Sequence, residues 1–284
     1  MIARPNQSAT IEGVPDGSRP VLSLVFFAVG AALAVGSGAW TMRMAGEPAS
    51  LWARNIVAWI IGLGAILLLR GVRIGGTARR TLMLGAVAVL VSTLAFSGLQ
   101  GVHRWLALGP VLVNGAALVL PVVVVCLLRE PSPVWRGCIT VAVSAVLAAQ
   151  PDASQATAFA IASLIFIVLS PNHSFAARVG VSLPPVLGAF VSLLLPDPLQ
   201  PVLHVEGIVQ LAASRSTVMA AALLLGLVVS VCAPLVRRSS LPLVAYFATV
   251  AVAPAFGAFP VPLAGYGSSF ILGQFLAVAF LSQK

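Results

Sequence analysis

The chain has 284 residues, of which 60% are hydrophobic and 8% are charged, and its mean hydropathy is +1.06. Soluble globular proteins contain roughly 45–50% apolar and 25% charged residues, so this composition excludes a water-soluble fold. The net charge is +9, but the basic residues flank apolar runs. That arrangement is typical of a protein that meets anionic membrane lipid and does not indicate a nucleic-acid partner.

The first twenty residues are polar and rich in turn formers, which predicts a disordered cytoplasmic tail over 1–20. Ten apolar runs follow without a polar linker, so residues 21–284 are predicted to form a single polytopic transmembrane domain. Lipid offers an open backbone no hydrogen-bond partner, so the expected fold class is an all-α integral membrane protein with about ten transmembrane helices. The predicted spans are 21–42, 52–69, 81–100, 109–128, 137–150, 154–170, 179–195, 217–236, 241–256 and 265–283.

The distribution of basic residues predicts that both termini are cytoplasmic, because positive charge collects on that side of a membrane protein. In this orientation twelve of the 16 basic residues lie inside: Arg4, Arg19, Arg70, Arg73, Arg79, Arg80, Arg129, Arg136, Arg178, Arg237, Arg238 and Lys284. The outer segments hold Arg43, Arg54, Arg104 and Arg215, together with the acids Glu47, Asp152, Asp197 and Glu206. Omitting the short fifth span would invert everything after it and weaken this bias, so ten spans fit better than nine.

Polar residues collect in four segments of the predicted outer face. Arg104 and Trp105 follow the third span, where an ordinary interfacial anchor would also account for them. Asp152 ends the fifth span, where it is expected to cap the next helix. The loop 196–216 supplies two candidate acid/base carboxylates, and the Gly- and Pro-rich segment 259–270 lets backbone approach a neighbouring helix or a ligand closely.

The last of these segments resembles a known family signature. Its sequence PVPLAGYGSS is similar to the PLPFVSYGGS element before the last helix of the FtsW/RodA/SpoVE (SEDS) family of bacterial cell-wall glycosyltransferases. The two agree at Pro260, Pro262, Tyr266, Gly267 and Ser269. The resemblance implies a SEDS-like bundle of ten spans, in which these five residues form a structural motif.

The other outer segments occur in the family's order. Gln150-Pro151-Asp152 is similar to its QPD element, Arg104-Trp105 to its Arg-Trp element, and Asp197-Pro198 to its Asp-Pro element. The resemblance implies Asp197 as the catalytic carboxylate, with Glu206 as the alternative. The candidate substrate-binding residues are Arg104, Trp105, Asp152 and Arg215, and the two arginines are expected to hold a diphosphate because a guanidinium makes forked bonds to phosphate oxygens.

The chain also departs from the family pattern. Where the family carries Gln-Pro-Ser-Glu and then Lys, this sequence has Asn114-Gly115-Ala116-Ala117 and Leu120, so a carboxylate and a cation are missing. The fourth outer loop is shorter than the family's, which predicts a shortened and divergent member.

The implied function is a peptidoglycan glycosyltransferase of the bacterial inner membrane that polymerises lipid II during cell-wall synthesis, cell division or shape control. Its expected partners are an undecaprenyl-linked lipid substrate, membrane lipid and a class B penicillin-binding protein. No cofactor, metal site or divalent-cation site is indicated by the residue spacings. A catalytically inactive scaffold or lipid-carrier-binding regulator of envelope assembly is the alternative, and a transporter or flippase is a weaker one.

Overall fold

Eleven α-helices and one small antiparallel sheet form the fold in the described residues, which are 19–109, 111–170, 174–236 and 238–283 of a computed structural model. The elements are α1 (Arg19–Met44), α2 (Ala49–Leu69), α3 (Gly76–Thr93), β1 (Trp105–Leu108), β2 (Val111–Asn114), α4 (Gly115–Arg129), α5 (Pro133–Ala149), α6 (Ala153–Val168), α7 (Phe175–Leu194), α8 (Ile208–Arg215), α9 (Thr217–Cys232), α10 (Leu241–Val252) and α11 (Ser268–Leu281). The predicted tail lies outside the described residues, except for residues 19–20, where α1 already begins.

Ten of these helices correspond to the ten predicted spans, and α8 is an additional short helix in the predicted outer loop. Four helical segments are long and apolar enough to cross a membrane: Val21–Met44, Ala49–Leu69, Phe175–Leu194 and Thr217–Leu235. Five more are apolar but shorter. The all-α membrane fold expected from composition is therefore confirmed.

Contacts among the C-terminal ends of α2, α4 and α11 fit a bundle in which successive spans alternate in direction. Gln283, just after α11, donates from Nε2 to the carbonyl of Leu69 at the end of α2, at 3.2 Å. Arg129, the last residue of α4, donates to the carbonyls of Leu281 and Gln283 at 2.9 and 2.8 Å. The C-terminal ends of α2, α4 and α11 thus lie at one end of the bundle, here called the terminal end. Its assignment to the cytoplasm stays a prediction.

The third and fourth spans differ from their predicted bounds. α3 ends at Thr93, and the chain then forms a turn at Gly98, whose φ of +68° favours glycine, and a β-bridge between Leu99 and Val102. The predicted start of the fourth span is instead the hairpin of β1 and β2, in which Trp105 pairs with Asn114. Hydropathy does not distinguish an apolar strand from an apolar helix, which is why the sequence missed this hairpin.

Small residues bring the helices into close contact, as is common where no hydrophobic effect drives helices together in lipid. A Cβ atom on Gly38 of α1 would collide with the carbonyl of Ala264, in the segment that precedes α11. A Cβ on Gly273 of α11 would collide with the carbonyl of Ala117 in α4. The backbone of α11 is thereby held against α4, and the segment before it against α1.

An ion-pair cluster connects α3 to the α4–α5 turn at the terminal end. Glu130, whose side chain is fully buried, accepts from Arg79 at 3.1 Å and from Arg80 at 2.8 Å, and from the backbone N–H of Ser132 at 3.1 Å. The hydrogen bond from Arg80, helped by those from Ser132 and Arg79, lowers the pKa of Glu130 from 4.5 to about 2, against the opposing effect of burial.

Two glycines of α1 provide a matched test of this packing. Gly38→Ala should lower the unfolding temperature, since the new methyl meets the Ala264 carbonyl and overpacking typically costs about 1–3 kcal/mol. Gly36→Ala meets nothing within 4 Å and should leave stability unchanged or slightly raised. Thermal unfolding of both variants in the same detergent measures the difference, and equal unfolding temperatures would contradict the packing argument.

Glu130→Gln should lower the unfolding temperature at pH 7, because it leaves two guanidinium groups with a weaker partner. The folded-state pKa lies below the ordinary value, so the carboxylate's contribution is complete above about pH 4.5 and is lost as the pH falls toward about 2. The difference in unfolding temperature between the wild type and the variant should therefore shrink as the pH falls from about 4.5 to about 2. A gap that stays constant with pH would show that the ion pairs do not stabilise the fold.

Candidate functional site

Arg104 is the centre of the candidate site. It immediately precedes β1 and is only 3% exposed. Its Nη2 donates to Asp197 Oδ2 at 2.6 Å and to the carbonyl of Pro151, and its Nε lies 3.8 Å from Asp152 Oδ2. One guanidinium thus joins the hairpin, the α5–α6 turn and the residues after α7. A buried cation requires such compensation because desolvation of an unpaired charge is costly.

Asp152 is fixed by the start of α6. Its Oδ1 accepts from the backbone N–H of Gln155 at 3.3 Å and from the hydroxyl of Ser154 at 3.1 Å, which confirms the predicted helix cap. Its Oδ2 has no hydrogen-bond partner in the described part of the chain and faces Arg104. Gln150 anchors the same turn to α3 through the carbonyl of Leu90 at 3.0 Å. Asp152 is therefore a buried counter-ion of Arg104, only 2% exposed, and the helix cap fixes its position.

Asp197 is the accessible carboxylate of the group, with 24% of its side chain exposed against 2% for Asp152. It lies three residues after the end of α7, and its Oδ1 accepts from the backbone N–H of Leu199 at 3.3 Å. Its other oxygen holds Arg104. Asp197 is therefore the carboxylate of this group that is open to the surface, whereas Asp152 is buried and committed to the helix cap.

A narrow cavity of about 20 Å³ lies beside the guanidinium, which is space for roughly one water molecule. Trp105, Glu206 and Pro260 line it together with Arg104 and Asp152. Glu206 is already engaged locally, since its Oε2 accepts from the backbone N–H of Val202 at 2.7 Å. The structure thus gathers five of the predicted site residues around one cavity, and joins Asp197 to it through Arg104.

Arg215 is not brought to this cavity. It is the last residue of α8, it is exposed, and its side chain makes no hydrogen bond or ion pair with any described residue. Its predicted role as a partner of Arg104 in substrate binding has no geometric support.

The motif segment is held by two α2 residues that the sequence did not single out. Asn55, fully buried, donates to the carbonyl of Gly265 at 2.8 Å and accepts from the N–H of Gly267 at 3.1 Å. Arg54 donates to the hydroxyl of Tyr266 at 2.7 Å. A polar pair inside an apolar span was the signal that could have revealed them, because such residues are rare in lipid without a partner.

Ser269 connects the motif to the hairpin. Its hydroxyl accepts from the backbone N–H of Asn114 at 2.9 Å, while the Asn114 side chain caps α4. The positions of the missing family residues, Ala117 and Leu120, are fully buried in the apolar core.

The two motif glycines have different roles. A Cβ on Gly265 would collide with the carbonyl of Val205, so this residue permits close approach as expected. A Cβ on Gly267 would meet nothing within 4 Å, so close approach is not the reason for glycine at this position. Its φ of +148° is the reason for glycine, since a side chain strains that backbone conformation.

An apolar cleft of about 590 Å³ adjoins the narrow cavity. It runs between α6, α7 and α10, and its walls carry almost no polar surface. Ser154, beside Asp152, lines both spaces, and Phe259 of the cleft precedes Pro260 of the cavity. The narrow cavity and the apolar cleft therefore adjoin each other at Ser154.

Three solved structures share this fold. Thermus thermophilus RodA, a rod shape determining protein, matches with 19% identity over 98% of this chain and 97% of that chain, at a TM-score of 0.59. A single-residue variant of the same RodA matches with 20% identity, 91% and 94% coverage, and a TM-score of 0.64. A chain of a peptidoglycan synthase complex that coordinates polymerization and crosslinking matches with 19% identity, 91% and 95% coverage, and a TM-score of 0.57.

No family model matches the sequence, and no curated protein does. The fold therefore defines the class as an all-helical, multi-pass membrane protein with a RodA-like, SEDS-like bundle. The shortening that the sequence predicts is not visible in these alignments, since the chain covers 94% and 97% of the two RodA chains.

Arg104→Gln should strongly destabilise the fold, because it leaves Asp152 as a buried carboxylate without its cation, a loss of about 3–5 kcal/mol in comparable buried pairs. Arg215→Gln removes the same charge from an exposed position and should change stability by no more than about 0.5 kcal/mol. Thermal unfolding distinguishes them. Similar unfolding temperatures for the two variants would mean that Arg104 does not hold the site together.

Proposed function

We propose that the protein is a peptidoglycan glycosyltransferase of the bacterial inner membrane, which polymerises lipid II with Asp197 as its catalytic base. The observation that carries the proposal is the Asp197–Arg104 pair at 2.6 Å in a RodA-like fold, where Arg104 lines a narrow cavity that adjoins an apolar cleft. This arrangement offers a proton acceptor, a diphosphate-binding cation and a lipid site next to one another.

The reaction follows from those groups. A sugar hydroxyl of the acceptor attacks the anomeric carbon of the lipid-linked donor and forms the new glycosidic bond. The hydroxyl proton passes to the Asp197 carboxylate, while the bond between the anomeric carbon and the diphosphate breaks and undecaprenyl diphosphate leaves. Arg104 stabilises the charge that develops on the departing diphosphate, since a guanidinium makes forked bonds to phosphate oxygens.

Substrate binding would rearrange the resting ion pair. Asp197 and a diphosphate compete for the same Nη2 of Arg104. When the diphosphate binds there, the carboxylate is released from its cation and becomes free to accept a proton. Asp152, which keeps Arg104 in place from the other side, does not need to move.

The apolar cleft supplies a place for the polyprenyl chain. Its volume of about 590 Å³ is within the ordinary range of ligand sites, roughly 300–1,000 Å³. Because the cleft adjoins the cavity at Ser154, a lipid in it would place its diphosphate near Arg104 while the isoprenoid units extend along α6 and α10. A class B penicillin-binding protein is the proposed partner, since a peptidoglycan synthase complex shares the fold.

A scaffold without catalysis is the second candidate, and two observations favour it. The cavity beside Arg104 holds only about one water, which is too small for a sugar diphosphate without rearrangement. The positions of the family's missing carboxylate and cation, Ala117 and Leu120, are fully buried and apolar. In this alternative the lipid cleft remains and the chain organises envelope assembly.

Polymerisation of labelled lipid II by the purified protein, alone and with a class B penicillin-binding protein from the same cell, tests the proposal. Asp197→Asn should lower turnover by at least about 10³-fold with lipid binding retained, because the amide keeps the shape and loses the proton acceptor. Glu47→Gln, which changes an outer carboxylate that is paired with His204 outside the cavity, is the matched control and should stay active.

The outcomes separate the candidates. Activity that survives in Asp197→Asn and is lost in Glu206→Gln assigns the base to Glu206. An inactive wild type that still binds lipid II and its partner supports the scaffold.

A further inference from the structure

A second lipid-sized space lies at the terminal end, away from the candidate site. It is a groove of about 610 Å³ between the first turns of α1 and the last turns of α2. Residues 21–28 and 63–67 form its apolar walls, and the turn 70–73 and residues 282–283 close its end. Several of the wall side chains are open to lipid: Val21 is 57% exposed, Val25 51% and Leu67 62%.

Two unpaired arginines stand at the closed end of this groove. Arg70 and Arg73 are both exposed and both line it, and neither makes a hydrogen bond or ion pair through its side chain with any described residue. The other arginines at this end whose side chains the structure describes all have partners: Arg79, Arg80, Arg129, Arg136 and Arg178. Within the described residues, the side chains of Arg70 and Arg73 therefore remain open to an anion from outside the chain.

The acidic residues of the described ranges do not supply an anion to Arg70 or Arg73. Glu130 is committed to Arg79 and Arg80, and the remaining four acids of the described ranges lie in loops of the opposite end. An apolar groove that opens to lipid and ends in two free guanidinium groups is complementary to an amphiphile with a phosphate head. Basic pockets between transmembrane helices bind anionic lipid headgroups for this reason.

We infer that this groove binds one anionic phospholipid, with its phosphate on Arg70 and Arg73 and an acyl chain between α1 and α2. The wall from residue 21 to residue 28 rises about 10 Å along α1, which accommodates the first part of an acyl chain. Forked guanidinium–phosphate bonds select the headgroup. The lipid completes the contact between the end of α2 and Gln283, and so stabilises the bundle independently of any catalytic activity.

Lipid titration of the full-length protein in detergent tests this inference. Dioleoyl-phosphatidylglycerol should raise the unfolding temperature and remain bound in native mass spectrometry, whereas dioleoyl-phosphatidylcholine should do neither at the same concentration. Arg70→Gln combined with Arg73→Gln should weaken phosphatidylglycerol binding by at least about 10-fold, since two charged hydrogen-bonding groups are lost. Arg43→Gln combined with Arg215→Gln removes the same charge from exposed positions outside the groove and should bind as the wild type does.

A second variant separates a lipid from a free phosphate. Ala28→Phe fills the apolar part and leaves both arginines, so it should weaken phosphatidylglycerol binding while glycerol phosphate, a headgroup without chains, stabilises neither protein. Equal stabilisation by the two lipids, or unchanged phosphatidylglycerol binding in the arginine double variant, would overturn the inference.

The chain's own first residues are the competing occupant, because Glu12 and Asp16 precede α1. If the wild type shows no preference for phosphatidylglycerol and the preference emerges only in Glu12→Gln combined with Asp16→Asn, the groove belongs to that segment and the lipid inference is wrong.

Discussion

The pairing of Arg104 with two carboxylates is the interaction on which the end of the bundle opposite the terminal end depends. A guanidinium buried to 3% exposure is tolerated only with charged or polar partners around it, and Asp152, Asp197 and the Pro151 carbonyl supply them. Those partners come from three segments that are far apart in sequence. The same contact that satisfies the cation therefore fixes the hairpin, the α5–α6 turn and the residues after α7 relative to one another.

A second constraint acts on the backbone. Non-helical chain at the membrane surface needs partners for its N–H and C=O groups, and the segment before α11 finds them in other loops. Val261 and Tyr266 donate to the carbonyls of Val205 and His204, at 3.3 and 2.8 Å, and Asn55 satisfies both Gly265 and Gly267. The fourth outer loop and the last helix are thus one unit, which brings Glu206 and Pro260 to the same cavity.

The two ends of the bundle use their arginines differently. At the end opposite the terminal end, Arg104 is buried and compensated within the chain, and the cavity beside it is small. At the terminal end Arg70 and Arg73 remain exposed beside an apolar groove. The proposed ligand of the Arg104 cluster would therefore displace an internal partner, whereas the lipid inferred in the terminal groove would supply a missing one.

The sequence by itself determined the membrane class, the ten helical spans and the Asp152 cap, because hydropathy and capping act over about 20 residues or fewer. It also identified five residues that line the cavity, but not Ser154 or Leu199 beside them. The α2 residues Arg54 and Asn55, which hold the motif segment, were not singled out either. The sequence did not reveal the hairpin 105–114, because a short run of apolar residues cannot be assigned to a strand or a helix from its hydrophobic pattern.

Only the tertiary structure decided how those residues combine. Arg104 and Asp197 are 93 positions apart, and nothing in their local sequence predicts that one oxygen of Asp197 is held by Arg104 while the other accepts from Leu199. It likewise separated Arg215 from the site and gave Gly265 and Gly267 different reasons to be glycine. The loops between spans have no regular hydrophobic pattern from which their placement could be predicted. Their mutual placement is set by long-range pairing of buried charges and backbone groups, and this pairing exists only after the helices have packed.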